Sequence, residues 1–152
     1  MEEAHVEKKI SASPDKVYSL IIDFEKWLRF NPSWFDLKVL TENPEVKKDK
    51  RIDIKISFED DEEKINRLTF KVEEASKNKI HYILSDGKEI ELIIEKSGNG
   101  TLISHRETLL KNENYEEKEK EINQWLDAIK HYSELNNTFT ARLSKLFMIK
   151  FL

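Results

Sequence analysis

The strongest constraint on the fold of this chain is a long amphipathic helix predicted late in the sequence, over residues 114–135. Its apolar side chains recur every three or four positions, so they form one stripe along the helix. The stripe consists of Ile122, Trp125, Leu126, Ile129 and Tyr132. Glutamate and lysine residues occupy the opposite face. Because a single helix cannot bury such a stripe by itself, it requires a sheet on which to pack.

The residues before this helix supply that sheet. Residues 4–12 alternate apolar and charged side chains, as a half-buried strand does. Ser13 followed by Pro14 is typical of a helix start. A second short helix ends at Asn31, because the residue before a proline avoids the helical region. Six further segments alternate with period two, so the chain predicts an α+β fold with an antiparallel sheet.

The last hairpin leaves two registers open for the final strand. A four-residue loop over residues 97–100 places His105 beside Leu92 and Glu107 beside Ile90, on the face that meets the helix. A three-residue loop would turn the other face inward, with Ser104, Arg106 and Thr108. The preceding hairpin is less ambiguous. Gly87 in a left-handed position of a three-residue loop aligns the apolar faces of its two strands.

Composition narrows the classes of function. The net charge of −4 argues against a general nucleic-acid-binding protein, which usually has a basic excess. Without cysteine the chain has no disulfide or thiolate zinc site, and its four histidines are too scattered to suggest a metal. The charged start and the lack of a long apolar run predict a cytoplasmic protein, and we expect no cofactor. The charged fraction of 37% is typical of thermophilic proteins.

The order of the elements and several short motifs resemble the SRPBCC superfamily, the START-like and birch-pollen-allergen-like helix-grip proteins. The matching segments are residues 13–18 (SPDKVY), 23–27 (DFEKW), 30–32 (FNP), 97–101 (SGNGT) and 125–132 (WLDAIKHY). The resemblance implies a curved antiparallel sheet of about seven strands, two short helices after the first strand, and a long C-terminal helix packed across the sheet. It also favours the register with His105 and Glu107 inward.

The resemblance further implies a cavity for a hydrophobic small molecule or lipid between the sheet and the long helix. We expect this cavity to lie on the Trp125 side of the helix. The residues expected to bind the ligand are Ile54, Ile56, Phe58, Leu68, Phe70, Tyr82, Leu92, Ile103, His105, Glu107, Trp125 and Ile129. Apolar walls with a few orienting polar groups are typical of such sites.

Binding or carriage of a hydrophobic ligand without catalysis is the function that we favour from the sequence. One alternative is a protein-interaction module of the co-chaperone type. Another is a cyclase- or dehydratase-like enzyme in which His105 and Glu107 form an acid–base pair. In a low-dielectric site the two groups would serve equally to orient a ligand carbonyl or hydroxyl.

The chain divides into a single helix-grip domain over residues 1–135 and an apolar extension over residues 136–152. We expect the extension to continue as a helix. Its last residues are too apolar to remain free in water, so they contact another surface. The alternatives are the protein's own domain, a second copy of the chain, and a membrane surface. We favour a homodimer through residues 139–152.

Overall fold

The computed structural model describes residues 2–58 and 61–135, with the side chains of all of these except residues 35, 57, 58 and 61–65. The predicted extension over residues 136–152, with its homodimer or membrane contact, lies outside the described residues. The side chain of Phe58, which we expected in the ligand site, is also outside this description.

The described residues form seven strands and three helices in the order predicted from the sequence. The first strand is β1 (Glu3–Ile10), followed by the short helices α1 (Pro14–Ile22) and α2 (Phe24–Arg29). Six strands come next, namely β2 (Trp34–Val39), β3 (Arg51–Phe58), β4 (Asp61–Ala75), β5 (Lys79–Leu84), β6 (Glu89–Ser97) and β7 (Gly100–Thr108). The long helix α3 (Tyr115–Glu134) is the last described element. In this part of the chain no helix is long and apolar enough to cross a membrane.

All seven strands belong to one antiparallel sheet with the order β1-β7-β6-β5-β4-β3-β2. Strands β2 to β7 follow one another as a meander, and β1 closes the series by pairing with β7. Helix α3 packs on the buried face, next to β1 and the two short helices. The predicted helix-grip fold is therefore confirmed.

Each helix begins at a side chain that caps its first turn. Ser13 Oγ accepts a hydrogen bond from the backbone N–H of Lys16 at 3.3 Å, and Asp23 serves α2 in the same way. Asn114 Oδ1 accepts from the N–H of Glu117 at 3.1 Å. These caps satisfy backbone donors that have no partner inside the helix, and they fix where each helix starts.

Both hairpins have the registers that the sequence favours. Gly87 has a φ of 92° in the loop between β5 and β6, which pairs Tyr82 with Ile90. The turn between β6 and β7 pairs His105 with Leu92 and Glu107 with Ile90. Since Ile90 and Leu92 are buried, His105 and Glu107 face the interior of the protein.

The apolar stripe of α3 is buried as predicted except at Tyr132. Ile122, Trp125, Leu126 and Ile129 are almost completely buried, whereas Tyr132 is 49% exposed and stacks on Phe30. The prediction for Tyr132 was wrong because a turn of 3.6 residues places position 132 at the edge of the stripe. The buried position one residue later belongs to a serine.

Candidate functional site

An aromatic cluster fills the space beneath the middle of α3. The ring of Trp27 stacks on Trp125 at a centroid distance of 4.6 Å and on Tyr82 at 5.2 Å. The indole N–H of Trp125 donates a hydrogen bond to the backbone oxygen of Trp27 at 2.7 Å. Trp34 and His105 pack against other sides of Trp125. The space directly beneath Trp125 is therefore filled by side chains.

A cavity of about 850 Å³ lies nearer to the N-terminal end of α3. Among the described residues, its apolar walls are Trp34, Ile56, Leu68, Leu84, Ile90 and Leu110. The polar residues around it are Ser33, Asn66, Arg67, Asp86, Lys88, Glu107, Asn112, Glu113, Lys118 and Glu121. The cavity thus combines one apolar wall with one strongly charged wall.

Three of the residues predicted to bind a ligand line this cavity, namely Ile56, Leu68 and Glu107. Eight others lie in the packed interior and do not line it, namely Ile54, Phe70, Tyr82, Leu92, Ile103, His105, Trp125 and Ile129. Their large side chains contact one another, so they support the cavity from behind. The binding role of all these residues remains a prediction.

The charged wall is formed by five side chains, Lys88, Glu107, Glu113, Lys118 and Glu121, which we call the ion-pair cluster. Lys88 Nζ lies 2.9 Å from Glu107 and 2.7 Å from Glu113. Lys118 Nζ lies 3.3 Å from Glu107, 2.9 Å from Glu113 and 2.8 Å from Glu121. Both ammonium groups therefore bridge carboxylates from different parts of the chain.

Different elements bring these side chains together. Lys88 follows the tight turn before β6, and Glu107 lies near the end of β7 beside Ile90. Glu113 precedes α3, where its carboxylate also accepts the backbone N–H of Leu110 at 2.9 Å. Lys118 and Glu121 are one turn apart on α3. The ion-pair cluster therefore ties the β5–β6 turn and the end of β7 to the start of α3.

The electrostatics of the cluster favour its charged form. Burial by itself would raise the pKa of Glu107, but the hydrogen bond with His105 and the charges of Lys88 and Lys118 hold this pKa far below its usual range. Burial opposes the charge of Lys118 in the same way, and the neighbouring Glu107 and Glu121 nevertheless raise its pKa. The contacts within the cluster therefore stabilise the charged forms of Glu107 and Lys118.

His105 extends the cluster into the core. Its Nε2 lies 3.0 Å from Glu107 Oε1, and its ring is completely buried against Trp125. An ionised carboxylate only accepts hydrogen bonds, so Nε2 is the donor. Nδ1 has no hydrogen-bond partner among the described residues. A carboxylate held by His105, Lys88 and Lys118 is a weak base, and this arrangement suits positioning better than proton transfer.

Sequence reasoning found Glu107 and His105 but missed Lys88, Glu113, Lys118 and Glu121. One signal was available for the two residues on the helix. Lys118 lies four positions before Ile122, and Glu121 lies four positions before Trp125. Residues four positions apart share one face of a helix, so both belong to the N-terminal continuation of the buried stripe. Because lysine and glutamate are rarely buried, their residue types alone point to a solvated position.

No group of three potential metal ligands occurs in residues 2–58 and 61–135.

Comparison with known proteins gives a family and a set of related folds. A family model described as polyketide cyclase / dehydrase and lipid transport matches residues 10–85, half of the 152-residue chain. Among curated protein sequences, none matches the chain. Solved structures align over most of its length.

Three of these structures illustrate the range of similar proteins. An AHSA1-like protein from Aeromonas hydrophila is 15% identical with a TM-score of 0.67, over 88% of this chain and 92% of that chain. The Aha1 dimer from Colwellia psychrerythraea is 16% identical with a TM-score of 0.65, over 90% of this chain and 99% of that chain. Ara h 8.0201 is 12% identical with a TM-score of 0.65, over 89% of this chain and 99% of that chain. At these identities the similarity concerns the fold alone.

Proposed function

Because the chain belongs to the polyketide cyclase / dehydrase and lipid transport family, we propose that it binds or carries a hydrophobic small molecule or lipid between the sheet and α3. The observation that carries this proposal is the cavity of about 850 Å³ with its apolar wall. This volume is in the range of small-molecule sites, roughly 300–1,000 Å³.

The two walls suggest how such a ligand is oriented. Its apolar part lies against Trp34, Ile56 and Leu68, where burial of apolar surface supplies the affinity. Its polar part lies towards the ion-pair cluster, which is already assembled by contacts within the protein. The rigid aromatic cluster behind the cavity keeps the apolar wall in place.

Binding can be tested with Nile red, an uncharged dye that fluoresces in apolar sites. We expect saturable fluorescence with the full chain, and a Kd weakened at least about tenfold in Leu68→Trp, because the larger ring occupies part of the cavity beside its apolar lining. Leu40→Trp is the matched control, since Leu40 is exposed and does not line the cavity. It should bind the dye as the unaltered protein does.

Native mass spectrometry of protein purified from its source organism provides a second readout. A retained mass that disappears on denaturation would identify the ligand class. If the unaltered protein shows neither saturable dye binding nor a retained mass, the binding function is wrong. Equal loss of affinity in the Leu68 and Leu40 variants would place the dye outside the cavity.

A further inference from the structure

The hydrogen-bonding capacity of the ion-pair cluster is unevenly used. An ammonium group has three N–H donors. Lys118 Nζ lies within 3.3 Å of the carboxylates of Glu107, Glu113 and Glu121, and it donates a hydrogen bond to Glu121. Lys88 Nζ donates hydrogen bonds to Glu107 and Glu113, so carboxylates of the protein already surround both ammonium groups. A negatively charged group entering the cavity would therefore have to displace a carboxylate that is already bound.

The carboxylates, in contrast, retain unused acceptor positions. Glu121 accepts one hydrogen bond on each oxygen, from Asn31 at 3.0 Å and from Lys118 at 2.8 Å. A carboxylate has about four lone-pair positions, so roughly two of those on Glu121 are free. The Glu121 side chain is 15% exposed and lines the cavity, which makes these positions accessible to a ligand.

The charge balance points the same way. The ion-pair cluster contains three carboxylates and two ammonium groups, a net charge of −1. The other charged residues that line the cavity are Arg67 and Asp86, which cancel. A positively charged ligand group in the cavity would neutralise this net negative charge.

We propose that the cavity selects amphiphiles whose polar group is a protonated amine, which donates hydrogen bonds to Glu121 while the apolar part packs against the apolar residues that line the cavity. This inference rests on the proposed binding function and adds the charge of the ligand to it. It assigns Glu121 as the residue that determines this preference.

The test compares three probes with the same chain length and different head groups, decylamine, 1-decanol and decanoate. At pH 7 decylamine is positively charged, 1-decanol is uncharged and decanoate is negatively charged. Each displaces Nile red from the full chain, and direct titration calorimetry checks the affinities. We expect decylamine to bind at least about tenfold more tightly than decanoate, with decanol between them.

The residue assignment is tested with Glu121→Gln, which keeps the shape of the side chain and removes the excess negative charge. We expect the ratio of decylamine to decanoate affinity to fall to within about threefold of unity. Glu116→Gln is the matched control, because it makes the same change of net charge at an exposed position of α3 outside the cavity. It should leave the ratio unchanged.

The outcomes separate this inference from the binding function. Equal affinities for the three probes, or tighter binding of decanoate, would overturn the amine preference and leave the binding function intact. An unchanged ratio in Glu121→Gln would overturn the assignment of Glu121. Binding of none of the probes, with no binding of Nile red, would overturn both. The comparison in the unaltered protein decides the amine preference even if the variant does not fold.

Discussion

Replacement of Trp125 by alanine is the most direct test of how α3 is held on the sheet. Trp125 is 1% exposed, stacks on Trp27 and donates a hydrogen bond to the Trp27 backbone oxygen. A tryptophan buries roughly 150–250 Å², which at about 25 cal/mol per Å² corresponds to about 4–6 kcal/mol. Alanine retains part of this burial, and large-to-small changes of this kind cost about 3–5 kcal/mol. Trp125→Ala also removes one of the two hydrogen bonds that the Trp27 carbonyl accepts, the other coming from the N–H of Phe30.

The assay is urea unfolding followed by far-ultraviolet circular dichroism, because removal of a tryptophan changes the fluorescence signal itself. Trp125→Phe should lose about 1–3 kcal/mol, since it keeps an aromatic ring but removes the hydrogen-bond donor. Tyr132→Ala is the control on the same helix and should lose less than about 1 kcal/mol, because Tyr132 is half exposed. A loss for Trp125→Ala no larger than that of Tyr132→Ala would refute this account of the packing.

Two further predictions concern Glu107 and Gly100. The pKa of Glu107 is lower in the folded protein than in the unfolded chain, so its ionised form stabilises the fold. This contribution is complete above the unfolded pKa of about 4.3 and is lost as the pH falls towards the folded pKa. In urea melts, Glu107→Gln should be less stable than the unaltered protein at pH 7, and this difference in stability should shrink from about pH 5 to pH 3. A difference that stays constant over this range would contradict the link between the charge of Glu107 and the stability of the fold. A Cβ on Gly100 would lie 2.3 Å from the backbone oxygen of Ile10, so Gly100→Ala should lose at least about 1–3 kcal/mol, whereas Ser97→Ala in the same turn should be nearly neutral. Equal stability of these two variants would show that β1 and β7 separate easily at this end.

Much of the fold was predictable because it depends on local patterns. The period of α3, the cap at Ser13, and the loop at Gly87 each specify a conformation that depends on few distant contacts. The loop before β7 left two registers open, and the family resemblance favoured the one with His105 inward, which the structure has. The resemblance to the SRPBCC superfamily drew on the order of these elements, and the family match confirms it.

The position of the cavity was not predictable in this way, because it depends on how side chains from several elements share one volume. Trp27 comes from a helix of six residues, yet its ring stacks between Trp125 and Tyr82 and fills the space directly beneath Trp125. Lys88 lies beside a turn, where lysine is usually solvated, and is 7% exposed only because Glu107 and Glu113 surround its ammonium group. Such compensation between distant residues leaves no periodic signal in a single sequence.

The pairing of β1 with β7 has a consequence for the order in which the protein is synthesised and folds. Glu3 pairs with Thr108 and Ile10 with Thr101, so β1 has no strand partner until most of the chain has been made. Contacts of such long sequence separation form slowly, and an unpaired strand is prone to associate with other chains in the meantime. The outward residues of β1 are Glu3, His5, Glu7 and Lys9, and charged residues on a waiting strand discourage such association. The polar sequence of β1 is therefore suited to the nascent chain on the ribosome as much as to the finished sheet.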